Sequence, residues 1–409
     1  ITIQLRDQYD EPFNGSDGTV TINVPEGDVS ETTNHGDGTY TATYKPFGMG
    51  DITLTATLDG EPLTNTLTII RTPTNGFYIH ENGVTIKCEG AQPGDTGDIA
   101  LDGQNATTYT KRTKSNITTS NAATTCTSGI TDMSTMFKFP GENSFNADIS
   151  HWDTSNVENM SEMFRNAYEF NKPIGHWDTN KVENMSEMFR KATIFNQPIN
   201  EWDTSSVTNM YGMFNAAELF NQPIGNWDTS NVENLGGMFA TARAFNQPIG
   251  DWNTHKVTDM SNMFANTDSF NQPIGNWNTS EVTSMNSMFL NAANFNQPIG
   301  DWNTPKVNNM AFMFAYTDAF NQLIGEWDTR EVTTMFRMFN NADAFNRPIG
   351  DWNTSKVTSM HYMFENATAF NQDLRSWCVI NIISEPNNFD AGANAWTDDR
   401  PNWNTCPQP

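Results

Sequence analysis

A unit of 25 residues recurs along most of this chain, and no other feature restricts the fold as much. Trp152, Trp177, Trp202, Trp227, Trp252, Trp277, Trp302, Trp327, Trp352 and Trp377 are each 25 residues from the next, and phenylalanines from Phe145 to Phe370 keep the same step. The unit reads F-N-Q-P-I-G-x-W-[DN]-T-x-x-V-x-x-M-x-x-M-F-x-x-A/T, as in Phe220 to Ala242. A unit this short cannot bury its apolar face alone, so neighbours must stack into a solenoid.

Two patterns alternate inside each unit. In V-x-x-M-x-x-M-F-x-x-A (Val207, Met210, Met213, Phe214, Ala217) apolar residues fall three or four apart, which predicts a short helix. Thr304 before Pro305 suits an N-cap followed by the first helical position, and Thr154, Thr179, Thr204, Thr229, Thr254, Thr279, Thr329 and Thr354 hold the same slot. Glu158, Glu183 and Glu233 would favour the positive end of such a helix. The P-I-G-x-W segment reads as a short extended stretch, with Gly225 and its equivalents marking a bend. Extended segments stack about 4.8 Å apart and helices about 8–10 Å apart, so the extended side is expected on the inside of a curve. The Asn146-to-Asn371 column is expected to form a ladder that satisfies backbone groups between coils.

The flanks differ from the repeats. Residues 1–72 alternate polar and apolar (Thr19 to Val24, Ile52 to Leu58) between Gly- and Asp-rich turns, as a small antiparallel β-sandwich would. Residues 73–130 read as an N-terminal cap, 131–377 as the tandem repeats and 378–409 as a C-terminal cap containing Trp396 and Trp403. Four cysteines permit three pairings. They fall as two flanking pairs, so Cys88–Cys126 and Cys378–Cys406 is the economical pairing, worth about 3–4 kcal/mol each by loop-closure entropy. A metal site is the competing reading, but CxxC spacing is absent and no histidine adjoins a cysteine. Disulfides imply an oxidising compartment.

Charge narrows the partners. Acidic residues outnumber basic ones 48 to 22, a net charge of −26, which repels phosphate backbones and anionic lipid. Nucleic acid is therefore excluded as a partner, and membrane insertion is not expected, because no run of about 18 apolar residues occurs. Hydrophobic residues are 36% of the chain, yet 12% are aromatic, too many for a disordered chain. The sequence starts at Ile1 rather than Met, and it is read as a segment of a longer, exported protein.

The repeat closely resembles that of the BspA-like leucine-rich-repeat surface proteins, and the similarity runs from about residue 76 to 409, with Cys126-Thr127-Ser128-Gly129-Ile130-Thr131-Asp132-Met133-Ser134 as the lead-in to the first repeat. Leu235 replaces the repeat's Met, and Leu323 and Asp373 replace its Pro. Gly36 to Pro46 (D-G-T-Y…Y-x-P) resembles a strand of filamin-like and invasin-like immunoglobulin folds. These resemblances imply an α/β solenoid of leucine-rich-repeat-like coils, a short strand and a short helix in each, preceded by an all-β immunoglobulin-like sandwich. They also imply a bacterial adhesin region, extracellular and at the cell surface, that binds a peptide or protein on another cell or host surface without catalysis. No H-E-x-x-H, His/Cys cluster or G-x-S-x-G elbow argues otherwise.

Two sets of variable positions are candidate ligand-binding residues. Before each Trp stand His151 and His176, then Glu201, Asn226, Asp251, Asn276, Asp301, Glu326 and Asp351, a column of carboxylates and amides expected on the concave side. Stacked like charges repel unless a cation neutralises them, so a basic ligand or calcium is the candidate partner, with a solvated acidic face as the alternative. No cofactor is required. Between the two Met positions, Tyr211, Phe312, Phe336 and Tyr362, with Tyr316, form a candidate protein-contact patch or pack between neighbouring coils. The Trp column is read as a core ladder; its alternative is an exposed row stacking on sugar rings, which would make this a carbohydrate-binding module. A calcium-rigidified structural spacer is the third function weighed.

Overall fold

The computed structural model of the chain describes residues 1–6, 18–25, 27–45, 52–64, 67–69, 76–101, 105–138 and 144–407. Pro46 and the 72/73 boundary lie outside these residues. The chain divides into two compact units, 1–130 with 150–154 and 131–149 with 155–409.

In the first unit, Thr2–Gln4 pairs antiparallel with Thr39–Thr41, which also pairs with Thr33–Asn34. A second antiparallel group joins Val20–Asn23, Glu61–Pro62 and Leu67–Ile69 to Ile52–Leu58. Alternation along Val20–Asn23 and Ile52–Leu58 turns one face inward. Leu5, Val20, Tyr40 and Ala56 then share one core, so the two groups pack face to face as a sandwich. Further along, Thr96–Ile99 pairs with Thr107–Lys111, and the Cys88–Cys126 disulfide lies in a core with Phe77, Ile86 and Tyr109.

The second unit is a solenoid, but not of the expected kind. Among the described residues there is no α-helix, and only Lys114–Asn116 and Ala122–Thr124 are 3₁₀ turns. The segment predicted to be helical is instead a string of tight turns. In the first full coil, Met163 N–H donates to Met160 O, Arg165 N–H to Glu162 O and Ala167 N–H to Phe164 O. The alternating amides leave the coil: Met160 N–H donates to Asn184 O, Glu162 to Ser186, Phe164 to Met188 and Asn166 to Arg190, at 2.8–2.9 Å. Ser161 N–H finds the Asn159 side chain at 3.0 Å, so every amide from 160 to 167 is satisfied. A helix would direct all of these bonds within the coil; here half of them tie coil to coil.

This winding needs two left-handed residues per coil. Glu162, Glu187, Gly212, Gly237, Asn262, Ser287, Phe312, Arg337 and Tyr362 form one positive-φ column, and Asn166, Lys191, Ala216, Thr241, Asn266, Asn291, Tyr316, Asn341 and Asn366 the other. Such a conformation costs a side-chain-bearing residue about 1–2 kcal/mol that glycine escapes. Ala216 has φ 57°, so Ala216→Gly is expected to stabilise the chain by up to about 1 kcal/mol, against the usual sign for that substitution. Urea denaturation of the two proteins checks it.

The extended residue of each coil also lies elsewhere than predicted. Single parallel bridges run Asp132, Asn159, Asn184, Asn209, Asn234, Asp259, Ser284, Asn309, Thr334, Ser359, inside the V-x-N-M segment rather than in P-I-G-x-W. The threonines do not cap helices. Thr179 Oγ1 donates to Asp203 O of the next coil at 2.9 Å, and the equivalents through Thr354 do the same. Gly225 permits a close approach, because an added Cβ would lie 2.4 Å from Pro248 O; Asn200 holds the equivalent position of the preceding coil.

The interior is a set of parallel ring columns. Indoles from Trp177 to Trp227 and from Trp252 to Trp377 stack at 6.1–6.5 Å with planes within 8°. Each indole N–H reaches the Ile carbonyl of the preceding coil, as Trp302 reaches Ile274 at 3.1 Å. The repeat's two phenylalanines stack within a coil, as Phe289 does on Phe295 at 4.0 Å. Between coils, the Met-Phe column steps by 5.7 Å at Phe264–Phe289, the Phe-Asn column by 6.1 Å at Phe270–Phe295 and the Trp column by 6.4 Å at Trp277–Trp302. Coils related by pure translation would step equally everywhere. The rising step means the stack curves, tight where backbone bonds backbone and wide along the Trp edge.

That gradient accounts for the conserved spelling of the repeat. Direct amide–carbonyl bonds cannot span the wide edge, so side chains bridge it. Asn296 N–H donates to Asn271 Oδ1 and Gln297 Nε2 to the same oxygen, both at 3.0 Å, realising the expected asparagine ladder. At the C-terminal end the parallel columns stop. Trp396 meets Phe370 edge-on at 4.7 Å and 83°, and the Cys378–Cys406 disulfide closes the segment.

Candidate functional site

The pre-Trp residues occupy the wide edge of the curve, not the concave side that stacked extended segments implied. Glu201, Asn226, Asp251, Asn276, Asp301, Glu326 and Asp351 are all exposed, each beside a buried Trp. The alternation follows from the coil: Ile and Trp point inward, and the residues next to Trp therefore point out. Asp251, Asn276 and Asp301 line one groove of about 460 Å³ with Pro248, Pro273 and Pro298. Asp351 lines a second, of about 490 Å³, with Asp373 and Arg375. Glu201 accepts from Asn200 Nδ2 at 2.5 Å, and Asn226 Nδ2 donates to Asn200 O at 2.9 Å. Glu326 is exposed outside both grooves.

The Trp column itself is core. Its rings from Trp177 to Trp352 are 2–4% exposed, which removes the sugar-stacking platform. Among the described residues no three acidic, histidine or cysteine side chains converge as metal ligands would.

The second candidate set lies on the turn columns and is separate from the first. Phe312 and Phe336 meet edge to face at 5.1 Å, and Phe336 and Tyr362 at 5.9 Å. The Arg337 guanidinium stands 4.6 Å from the Tyr362 ring and 5.5 Å from Phe336. Tyr211 is 43% exposed four to six coils away, and Tyr316 is 42% exposed on the other left-handed column. Periodicity gave no notice of Arg337, because Gly212 and Gly237 hold its position in earlier coils. In the first coils the same column carries ions: Glu162 pairs with Lys138 and Arg165, and Glu187 with Arg165 and Arg190. Burial pushes the Glu162 carboxyl up, but the hydrogen bonds and charges of Lys138 and Arg165 outweigh it and hold it below the usual range. Farther along, burial and the neighbouring Asp343 carboxylate push Asp318 up.

A family model described as Mycoplasma protein of unknown function, DUF285, matches residues 106–223, 195–302 and 288–403. The chain belongs to the DUF285 family. Its N-terminal residues 1–73 match a model described as Invasin, domain 3, in keeping with the sandwich found there. No curated protein and no solved structure matches the chain. The DUF285 repeat therefore acquires its geometry from the coils described above: a buried ring ladder, a tight backbone-bonded edge and a wide edge bridged by side chains.

Proposed function

We propose that the DUF285 repeats bind an extended basic segment of a protein ligand along the wide edge, in an extracellular adhesin region that performs no catalysis. The observation that carries this is the groove in which Asp251, Asn276 and Asp301 face solvent between the exposed ridges of Pro248, Pro273 and Pro298. One coil advances about as far as two residues of extended chain, so side chains on one face of a bound strand would meet successive coils. The carboxylates attract cationic side chains, in a chain whose net charge is −26. The resemblance to BspA-like surface repeats, the likeness to an invasin domain and the two disulfides support a surface or secreted setting.

The test presents the whole chain to arrays of basic, neutral and acidic peptides. Binders are expected among the basic ones. The combination Asp251→Ala, Asp301→Ala and Asp351→Ala is expected to weaken them about tenfold while the melting midpoint stays unchanged, because all three side chains are exposed. Equal affinity in the triple variant, or preference for acidic peptides, would overturn the assignment. The Arg337 aromatic cluster is a second, separate protein-contact surface, favoured by three rings left partly exposed around one cation.

A further inference from the structure

In the first compact unit a polar cluster is held almost out of reach of water. Lys87 lies on the strand Ile86–Lys87, paired with Tyr78–Ile79. Its Nζ is 2.9 Å from Asp153 Oδ1, and the two side chains are 9% and 2% exposed. Ser128 Oγ donates to Asp153 Oδ2 at 2.6 Å and itself accepts the Cys88 amide at 2.9 Å. Glu89 Oε1 stands 3.7 Å from the same Nζ, at the rim of the cluster, and its other oxygen accepts the Tyr78 hydroxyl at 3.3 Å. The Cys88–Cys126 disulfide clamps the residue after Lys87 to the segment that carries Ser128. An amine and a carboxyl are thus pinned in contact, with a hydroxyl donor on the far oxygen and a second carboxylate beside the nitrogen.

We propose that Lys87 and Asp153 condense to an intramolecular isopeptide bond. In a dry site two neutral groups cost less than two ions, so the ammonium passes one proton to Asp153 Oδ1. The Nζ lone pair then attacks Cγ, and negative charge gathers on Oδ2, where the Ser128 hydroxyl already donates. Glu89 takes a second Nζ proton and delivers it to Oδ1, which leaves as water at the rim. The third proton stays as the amide N–H. The Nζ–Cγ bond forms, the Cγ–Oδ1 bond breaks, and no oxidant or reductant is needed. Contact at 2.9 Å supplies the high effective concentration that an uncatalysed condensation in water lacks. The product ties the strand at residue 87 to the segment 150–154 covalently, beside a disulfide that a reducing agent would cut.

Mass spectrometry of the intact, non-reduced chain tests this. The mass is expected to fall one water below that of the disulfide-bonded sequence, and protease digestion to release a branched peptide joining residues 87 and 153. The full mass, or a water loss that maps to a succinimide elsewhere, would overturn the proposal. Asp153→Ala sets the baseline without the loss. Glu89→Gln, at an exposed position, is expected to slow bond formation about a hundredfold. An unchanged rate would refute the proton-carrying role given to Glu89.

Discussion

Trp302→Ala is expected to destabilise the repeat unit by about 3–5 kcal/mol, the range for emptying a fully packed aromatic site. Trp302 is 2% exposed and stacked between Trp277 at 6.4 Å and Trp327 at 6.1 Å, with Phe289 at 6.3 Å. The substitution leaves a void on a column that neighbouring coils cannot close, since each is held by its own backbone bonds. It also strips the Ile274 carbonyl of its donor. Trp302→Phe keeps an aromatic ring in the stack but loses the N–H and part of the ring volume, so a smaller cost of about 1–3 kcal/mol is expected. Chemical denaturation of both variants gives the ranking. If Trp302→Ala unfolded within 1 kcal/mol of the parent, the indole column would not be a packed core.

Excising residues 276–300 is expected to leave a folded solenoid, whereas excising only 276–287 is expected to break it. The longer deletion joins Gly275 to Asp301 and restores F-N-Q-P-I-G-D-W without a seam, because it removes one whole coil. Each coil bonds only its neighbours, so the loss is one coil's share and its melting midpoint should move by a few degrees. The shorter deletion removes Trp277, Thr279, Val282 and Met285 and keeps the rest of that coil. Thr254 then has no following carbonyl to donate to, the bridge from Asp259 to Ser284 is gone, and Trp252 and Trp302 face a gap. Several buried contacts worth a few kcal/mol each exceed the total stability of an ordinary domain, about 5–15 kcal/mol. Near-ultraviolet circular dichroism, which reports ordered indoles, and the cooperativity of melting distinguish the outcomes. Equal damage from both deletions would contradict nearest-neighbour stacking.

The 25-residue period, the identity of the buried columns, the asparagine ladder and both disulfide pairings were legible in the amino-acid order. The first three depend on residue type at a fixed step, which needs no coordinates to be counted, and the pairings follow from cysteines that fall as two flanking pairs. Trp stood as either core or sugar platform, and burial decided for core: indoles repeated once per coil stack, and stacking hides their faces.

What the order of residues could not settle was the winding between Val and Ala of each unit. Apolar residues three and four apart satisfy a helix and a string of tight turns equally, because both bring every third or fourth side chain to the same side. The discriminating residues were present, in Gly212, Gly237, Asn262, Asn266 and Asn291, all suited to positive φ. Glu162, Phe312 and Arg337 in the same columns obscured them, since their left-handed conformation is unfavourable in isolation. Only the stacked neighbour resolves the choice: its carbonyls take the amides a helix would have kept, and four bonds per coil repay the strain. The same bonds draw one edge tight and leave the other wide, which is why the column of Asp251 and Asp301 was legible in the order of residues but its place on the wide edge was not.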